Sequence, residues 1–142
     1  MMGWHMGFRE SILVIDDDPK LLFTMTLLLK HSGYSVAAVT NARDAIRCLN
    51  SYKFSLIFLD LNLHDISGLC LLSQIRSIEP AVPVVILTGD DSVDSTIAAL
   101  KAGAAGYLLK PLDPEQILDC IEKVIEINSD SSFRRQIVHF DT

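Results

Sequence analysis

Short apolar runs alternate with longer stretches in which apolar residues recur every three or four positions. The first run, "SILVID" (11–16), is rich in branched residues and reads as a buried strand. "YSVAAV" (34–39), "FSLIFLD" (54–60), "VPVVILT" (82–88) and "AGYLLK" (105–110) repeat the pattern, with Pro83 suited to a strand's beginning. The intervening stretches predict helices. "PKLLFTMTLLLKHSG" carries Leu21, Met25 and Leu28 at helical spacing, and Gly33 is a stop signal. "NARDAIRCLNSY" follows a cap at Thr40 or Asn41. Residues 67–77 carry Leu71, Leu72 and Ile75. "SVDSTIAALKAG" places Val93, Ile97 and Leu100 on one face, read as a core stripe. "DPEQILDCIEKVIEI" opens with Asp113 as cap, Pro114 at the first helical position and Gln116 beyond it; Ile117, Ile121 and Val124 form its buried stripe.

Strands alternating with helices imply right-handed crossovers and a parallel sheet covered on both faces. Continuous runs such as "VVIL" and "LIFL" suit strands buried on both sides. The expected architecture is α/β, a doubly wound sheet of five parallel strands with helices on both faces, flavodoxin-like if the strand order is 2-1-3-4-5. Residues 1–9 read as an N-terminal arm, 10–128 as the domain, and 129–142, "SDSSFRRQIVHFDT", as a tail or the start of a linker.

Length and composition narrow the class. The 142 residues fit one domain, and 49% hydrophobic with 21% charged residues is a globular profile. A net charge of -6 argues against non-specific binding to nucleic acid or an anionic membrane. Cys48, Cys70 and Cys120 are odd in number and widely spaced. They suggest neither a disulfide framework nor a metal knuckle, and read as packed small residues in a reducing cytoplasm. "MMGWHMGFRE" lacks the layout of a signal peptide, and "LLFTMTLLL" is too short to span a bilayer.

The chemistry gathers at the strand ends. In an open parallel sheet, ligands bind beyond the carboxyl ends of the strands, where the strand order reverses. The first strand ends in Asp16-Asp17-Asp18, the third in Asp60, the fourth in Thr88 and the fifth in Lys110-Pro111. In the order 2-1-3-4-5 the acidic cluster and Asp60 face each other across the switch point. Crowded carboxylates repel, and a small hard cation with oxygen ligands relieves them. A carboxylate nucleophile, Mg2+, a hydroxyl and a lysine together describe phosphoryl transfer onto Asp60, with an acyl phosphate as product.

"ILVIDDDP", "LIFLDLNL", "VVILTGD" and "AGAAGYLLKP" resemble the signature segments of the response-regulator receiver domain, the phosphoacceptor module of two-component signalling. The resemblance runs through residues 10–128 in register. It implies that Asp60 is phosphorylated and that Asp16, Asp17, Asp60 and the backbone carbonyl of Asn62 hold Mg2+, with Mn2+ as an alternative ion. Asp17 would bind directly and Asp16 through water. It further implies that Thr88 and Lys110 bind the phosphoryl oxygens, that Thr88 and Tyr107 form the switch, and that the Lys110–Pro111 peptide is cis. A sensor histidine kinase or phosphotransfer protein would be the donor. A downstream output domain or protein, in a transcription regulator by the form of "YLLKPLDPEQIL", would read the change. A homodimer is left open, and the domain itself is expected to bind neither nucleic acid nor membrane.

Plainer readings compete at each position. Asp18 precedes Pro19 and a helix, and an N-cap explains it better than metal binding. Tyr107 needs no role beyond packing, and a lone loop histidine such as His64 is seldom a ligand. Asp16, Asp17, Asp60, Thr88 and Lys110 would each be unremarked alone; their shared place at the strand ends favours function. The chain also departs from the family. His64 stands where proline is usual, Ser67 precedes Gly68 where an acidic residue is common, and Gly89 follows the threonine where alanine is common. Asn62 and Asp90 occupy positions that influence the attacking water. The rival classes are a receiver-like module that binds protein without phosphorylation, a flavodoxin-like cofactor binder and a metal-dependent phosphohydrolase. The first would lack the acids or the lysine, the second would want a Ser/Thr/Gly-rich phosphate cradle after the first strand, and the third would need a cap or extra acid–base residues.

Overall fold

Each of the five apolar runs forms a strand, and each amphipathic stretch forms a helix, in a computed structural model that describes residues 10–89, 93–129 and 138–140. In chain order the elements are β1 (Ser11–Ile15), α1 (Pro19–His31), β2 (Ser35–Val39), α2 (Ala42–Ser51), β3 (Leu56–Asp60), α3 (Gly68–Ile78), β4 (Val84–Thr88), α4 (Val93–Lys101), β5 (Gly106–Leu109), α5 (Pro114–Ser129) and β6 (Val138–Phe140). The strands are parallel and ordered β2-β1-β3-β4-β5-β6. The expected order 2-1-3-4-5 is present, and a sixth strand lies beyond β5.

The burial explains the composition of the strands. Every residue of β3 and β4 is buried, because helices cover both sides of the sheet. One face packs Ile12, Val14, Phe58, Leu87 and Leu108 against Leu22, Met25 and Leu29 of α1 and Ile117, Ile121 and Val124 of α5. The other packs Leu13, Ile15, Ile57, Leu59, Ile86 and Tyr107 against Ala45 and Leu49 of α2, Leu71, Leu72 and Ile75 of α3 and Ala99 of α4.

Caps fix where the helices start. The Asp18 carboxylate accepts the Lys20 N–H at 3.0 Å, and Pro19 begins α1. Asn41, rather than Thr40, caps α2 through the Asp44 N–H at 2.8 Å. The Asp113 carboxylate accepts the Glu115 N–H at 3.0 Å at the head of α5. After α1 the chain turns at Gly33 with φ 96°, a conformation that favours glycine.

Three expectations need correction. The buried stripe of α1 is Leu22, Met25 and Leu29, with Leu21 and Leu28 only partly buried. Leucine is so dense in this helix that periodicity alone does not fix the phase. Ile97 is 43% exposed, so the α4 stripe is not core throughout; Ala99 is the buried residue and Leu100 is partly buried. Cys70 is exposed, whereas Cys48 is half-buried and Cys120 buried. Apart from these, Val138–Phe140 forms a short strand, pairing Gly106 with Val138, Tyr107 with His139 and Leu108 with Phe140. Three residues carry too little pattern to be seen as a strand in sequence. No helix among the described residues is long and apolar enough to cross a membrane.

Gly68 decides how close α3 comes to the third strand. A Cβ there would lie 2.5 Å from Leu61 Cα and 2.6 Å from the Asp60 carbonyl oxygen, both backbone atoms that cannot step aside. At Gly89 a Cβ would meet nothing within 4 Å. Gly68→Ala is therefore expected to cost about 2 kcal/mol of stability, as overpacking does. Gly89→Ala, which restores the residue common in the family, is expected to change it by less than about 0.5 kcal/mol. Chemical denaturation of the two variants checks both.

Candidate functional site

β1 and β3 are neighbours in the sheet, yet the chain leaves them toward opposite faces, so a crevice opens above their carboxyl ends. The loop after β1 brings Asp16 and Asp17 to one wall, and Asp60 stands on the other as the last residue of β3. One carboxylate oxygen from each of Asp16, Asp17 and Asp60 lies within 4.8 Å of the others. Asp16 and Asp60 are buried, at 0% and 2% exposed, and Asp17 is partly open.

The backbone holds two of these carboxylates. Asp16 Oδ1 accepts the Asp18 N–H at 2.9 Å, and Asp60 Oδ1 accepts the Asn62 N–H at 3.1 Å. Lys110, at the end of β5, reaches across the sheet. Its Nζ lies 2.8 Å from Asp16 Oδ2 and 3.5 Å from Asp60 Oδ1. Asp16 Oδ2 is fully buried, and the Lys110 ammonium at 2.8 Å answers its charge.

The electrostatics follow. Burial raises the Asp60 pKa; the Asn62 N–H and Lys110 oppose this, whereas the charges of Asp16 and Asp17 reinforce it. For Lys110, burial works against the ammonium, but the Asp16 and Asp60 carboxylates outweigh it and raise its pKa. One ammonium thus serves two of the three acids. Three carboxylate donors that repel one another, each offering an oxygen within 4.8 Å of the others, fit a divalent cation held through oxygen.

Thr88 ends β4 and is buried; its carbonyl accepts the Lys110 N–H at 2.8 Å, which ties the two strand ends together. Tyr107 pairs with Ile86 in the sheet, and Thr88 is in phase with Ile86. Thr88 and Tyr107 therefore belong to the face that packs α2, α3 and α4. Tyr107 is buried at 8% exposure. The Lys110–Pro111 peptide is cis. Asp18 serves the helix rather than the cluster. Asp90 lies outside the described residues.

Two residues mattered more than their sequence context showed. His64 Nδ1 lies 2.9 Å from Asp17 Oδ2, a contact between loops 47 positions apart in the chain that no local pattern signals. Arg76, near the end of α3, donates to the carbonyls of Val82, Pro80 and Gly103 and joins the loops before β4 and β5. Its place in a helix's last turn was the available signal.

The raised pKa of Asp60 has a consequence for stability without metal. Below the carboxylate range Asp60 is neutral in both folded and unfolded chains. As pH rises, the unfolded chain ionises first, and the fold loses stability until the folded pKa is passed. Asp60→Asn removes that loss. In chelator-treated protein the variant is expected to melt above wild type at neutral pH, and the two are expected to converge in acid. Thermal melts across pH check this.

Comparison with known proteins agrees with the geometry. The response regulator receiver domain family matches residues 12–122. The transcriptional regulatory protein ZraR of Salmonella typhimurium is 36% identical over 117 residues, covering 82% of this chain and 26% of that protein. The chain spans about a quarter of the length of the curated relatives it matches. Among solved structures, a CheY-like receiver domain protein from Methanospirillum hungatei superposes with a TM-score of 0.82 at 27% identity, covering 86% of this chain and 98% of the other. A response regulator from Burkholderia pseudomallei, solved with a phosphorylated aspartic acid, a calcium ion and citrate, superposes with a TM-score of 0.76 at 31% identity, covering 87% of this chain and 73% of the other. On its sequence, its sheet order and the acids at its strand ends, the chain belongs to the response-regulator receiver domain family.

Proposed function

We propose that Asp60 is the phosphoacceptor of a two-component system and that a sensor histidine kinase or phosphotransfer protein supplies the phosphoryl group. The observation that carries this reading is the buried cluster of Asp16, Asp17 and Asp60 with Lys110 at its edge. Asp17, Asp60 and the Asn62 carbonyl would hold Mg2+, with Asp16 acting through water. The ion supplies neutralisation of the acids and of the incoming phosphoryl oxygens.

The chain's own groups perform the rest. Asp60 is anchored at Oδ1 by the Asn62 N–H, which fixes the carboxylate for in-line attack on phosphorus. A P–O bond to Asp60 forms as the donor's P–N bond breaks, and the donor imidazole departs with its electron pair. Lys110 already lies beside Asp60 and would pair with a phosphoryl oxygen. The Thr88 hydroxyl would bond another. Drawing Thr88 toward Asp60 frees space on the face it shares with Tyr107, and the ring can follow, which shifts the surface of α4, β5 and α5 between two packings.

The partner reading has its own support. Phe23 and Leu27, one turn apart on α1, are 66% and 55% exposed. Beside them an apolar groove between α1 and α5 is lined by Leu21, Leu28, Leu112 and Ile117, with Asp18 and Lys110 at its rim. A donor seated there would reach Lys110, whose Nζ lies 3.5 Å from Asp60 Oδ1. The receiver-like module without phosphorylation is disfavoured because every acid and the lysine are present and assembled.

Incubation with acetyl phosphate, followed by intact-mass spectrometry, tests the reading. Wild type is expected to gain one phosphoryl group only when Mg2+ is present, and Asp60→Asn none. An unmodified wild type that remains folded would reject the reading. Lys110→Met should still fold but accept the group at least about 10-fold more slowly, by loss of a charge-assisted contact to the phosphoryl group.

A further inference from the structure

The sheet continues beyond the five strands expected of it. β6 lies parallel to β5 at the sheet's edge, pairing Val138 with Gly106, His139 with Tyr107 and Phe140 with Leu108. It is three residues long, against five in each of β1 to β4. Among the described residues it pairs with β5 alone. A short parallel ladder at an edge is the part of a sheet that opens most easily. Tyr107, at the middle of this ladder, is buried at 8% exposure.

β5 also leads into the site. The chain runs on from it to Lys110, whose Nζ lies 2.8 Å from Asp16 Oδ2 and 3.5 Å from Asp60 Oδ1. The Lys110 N–H donates to the Thr88 carbonyl at 2.8 Å. On one side β5 is laddered to β4, from Val85–Gly106 to Thr88–Leu109, and on the other to β6. When Thr88 and Lys110 are drawn onto a phosphoryl group, β5 is pulled at its carboxyl end. A strand laddered on both sides resists that pull more than one laddered on a single side, because each ladder holds it to its register.

We propose that β6 is an autoinhibitory strap: docked on the edge of β5, it holds that strand and Tyr107 in the unphosphorylated packing, and phosphorylation of Asp60 releases it. The inference rests on the phosphoacceptor reading and adds to it a segment outside the family match, which ends at residue 122. The coupling is reciprocal. Whatever loosens β6 strengthens binding of a phosphoryl-like ligand at Asp60, by the same factor with which that ligand loosens β6.

Successive N–H groups of a strand point to opposite sides, so His139→Pro and Phe140→Pro together remove whichever of the two faces β5. In the full chain carrying both changes, hydrogen exchange is expected to lose protection at the β5 amides that face β6. Beryllofluoride with Mg2+, a stable mimic of the phosphoryl group, is expected to bind the double variant about 5-fold more tightly by calorimetry. General loss of stability would weaken binding rather than tighten it. In wild type the same ligand is expected to speed exchange at Val138–Phe140. Equal protection of β5 in ligand-free wild type and double variant would overturn the docking of β6. Equal or weaker affinity in the double variant would overturn the strap and leave the phosphoacceptor standing, as would full protection of Val138–Phe140 in ligand-bound wild type. Wild type that binds no beryllofluoride and gains no phosphoryl group from acetyl phosphate would overturn the phosphoacceptor reading, and the strap with it.

Discussion

Three carboxylates are held close together at the carboxyl ends of β1 and β3, two of them buried, with one ammonium beside those two. Coulomb repulsion in that setting is strong because little water screens it. The arrangement persists because the backbone fixes it. The Asp18 and Asn62 N–H groups are spent on Asp16 and Asp60, and the ends of β1 and β3 cannot separate while their ladders hold. The site is thus poised to gain from any ligand that brings positive charge, and to respond when negative charge is added.

The response has a direction because the sheet has two faces. Val14, Phe58 and Leu87 are in phase on the face of α1 and α5. Ile86 and Tyr107, with Thr88 in the same alternation, belong to the face of α2, α3 and α4. A phosphoryl group on Asp60 would draw on Thr88, and the disturbance would pass to the second face. Close packing makes that a choice between arrangements rather than a gradual drift. β6 adds backbone pairing beside Tyr107, so Val138–Phe140 is joined to the strand that carries this tyrosine.

The third-strand loop shows how one glycine shapes a site. Gly68 lets α3 start against the backbone of Asp60 and Leu61, which shortens the loop and sets its crest over β1. With Leu63 and Asp65 anchoring either side, a histidine at the crest comes to Asp17. A proline at that position would stiffen the loop but offer no side-chain donor.

Much of the fold and most of the site could be read from sequence, for local reasons. Strands buried on both faces must be continuous apolar runs, and helix starts need caps such as Asp18 and Asp113, so elements and their order follow from neighbours in the chain. Polar residues that end those runs mark the crevice, which is why Asp16, Asp17, Asp60, Thr88 and Lys110 stand out in the sequence. What sequence could not settle was every choice made by distant contacts. The phase of α1 in its leucine-rich run, the exposure of Ile97 and Cys70, the pairing of Val138–Phe140 with β5, the Arg76 clamp and the meeting of His64 with Asp17 depend on partners brought together only by folding. Periodicity reports that a side chain has a buried face, but only tertiary packing decides which residues meet it.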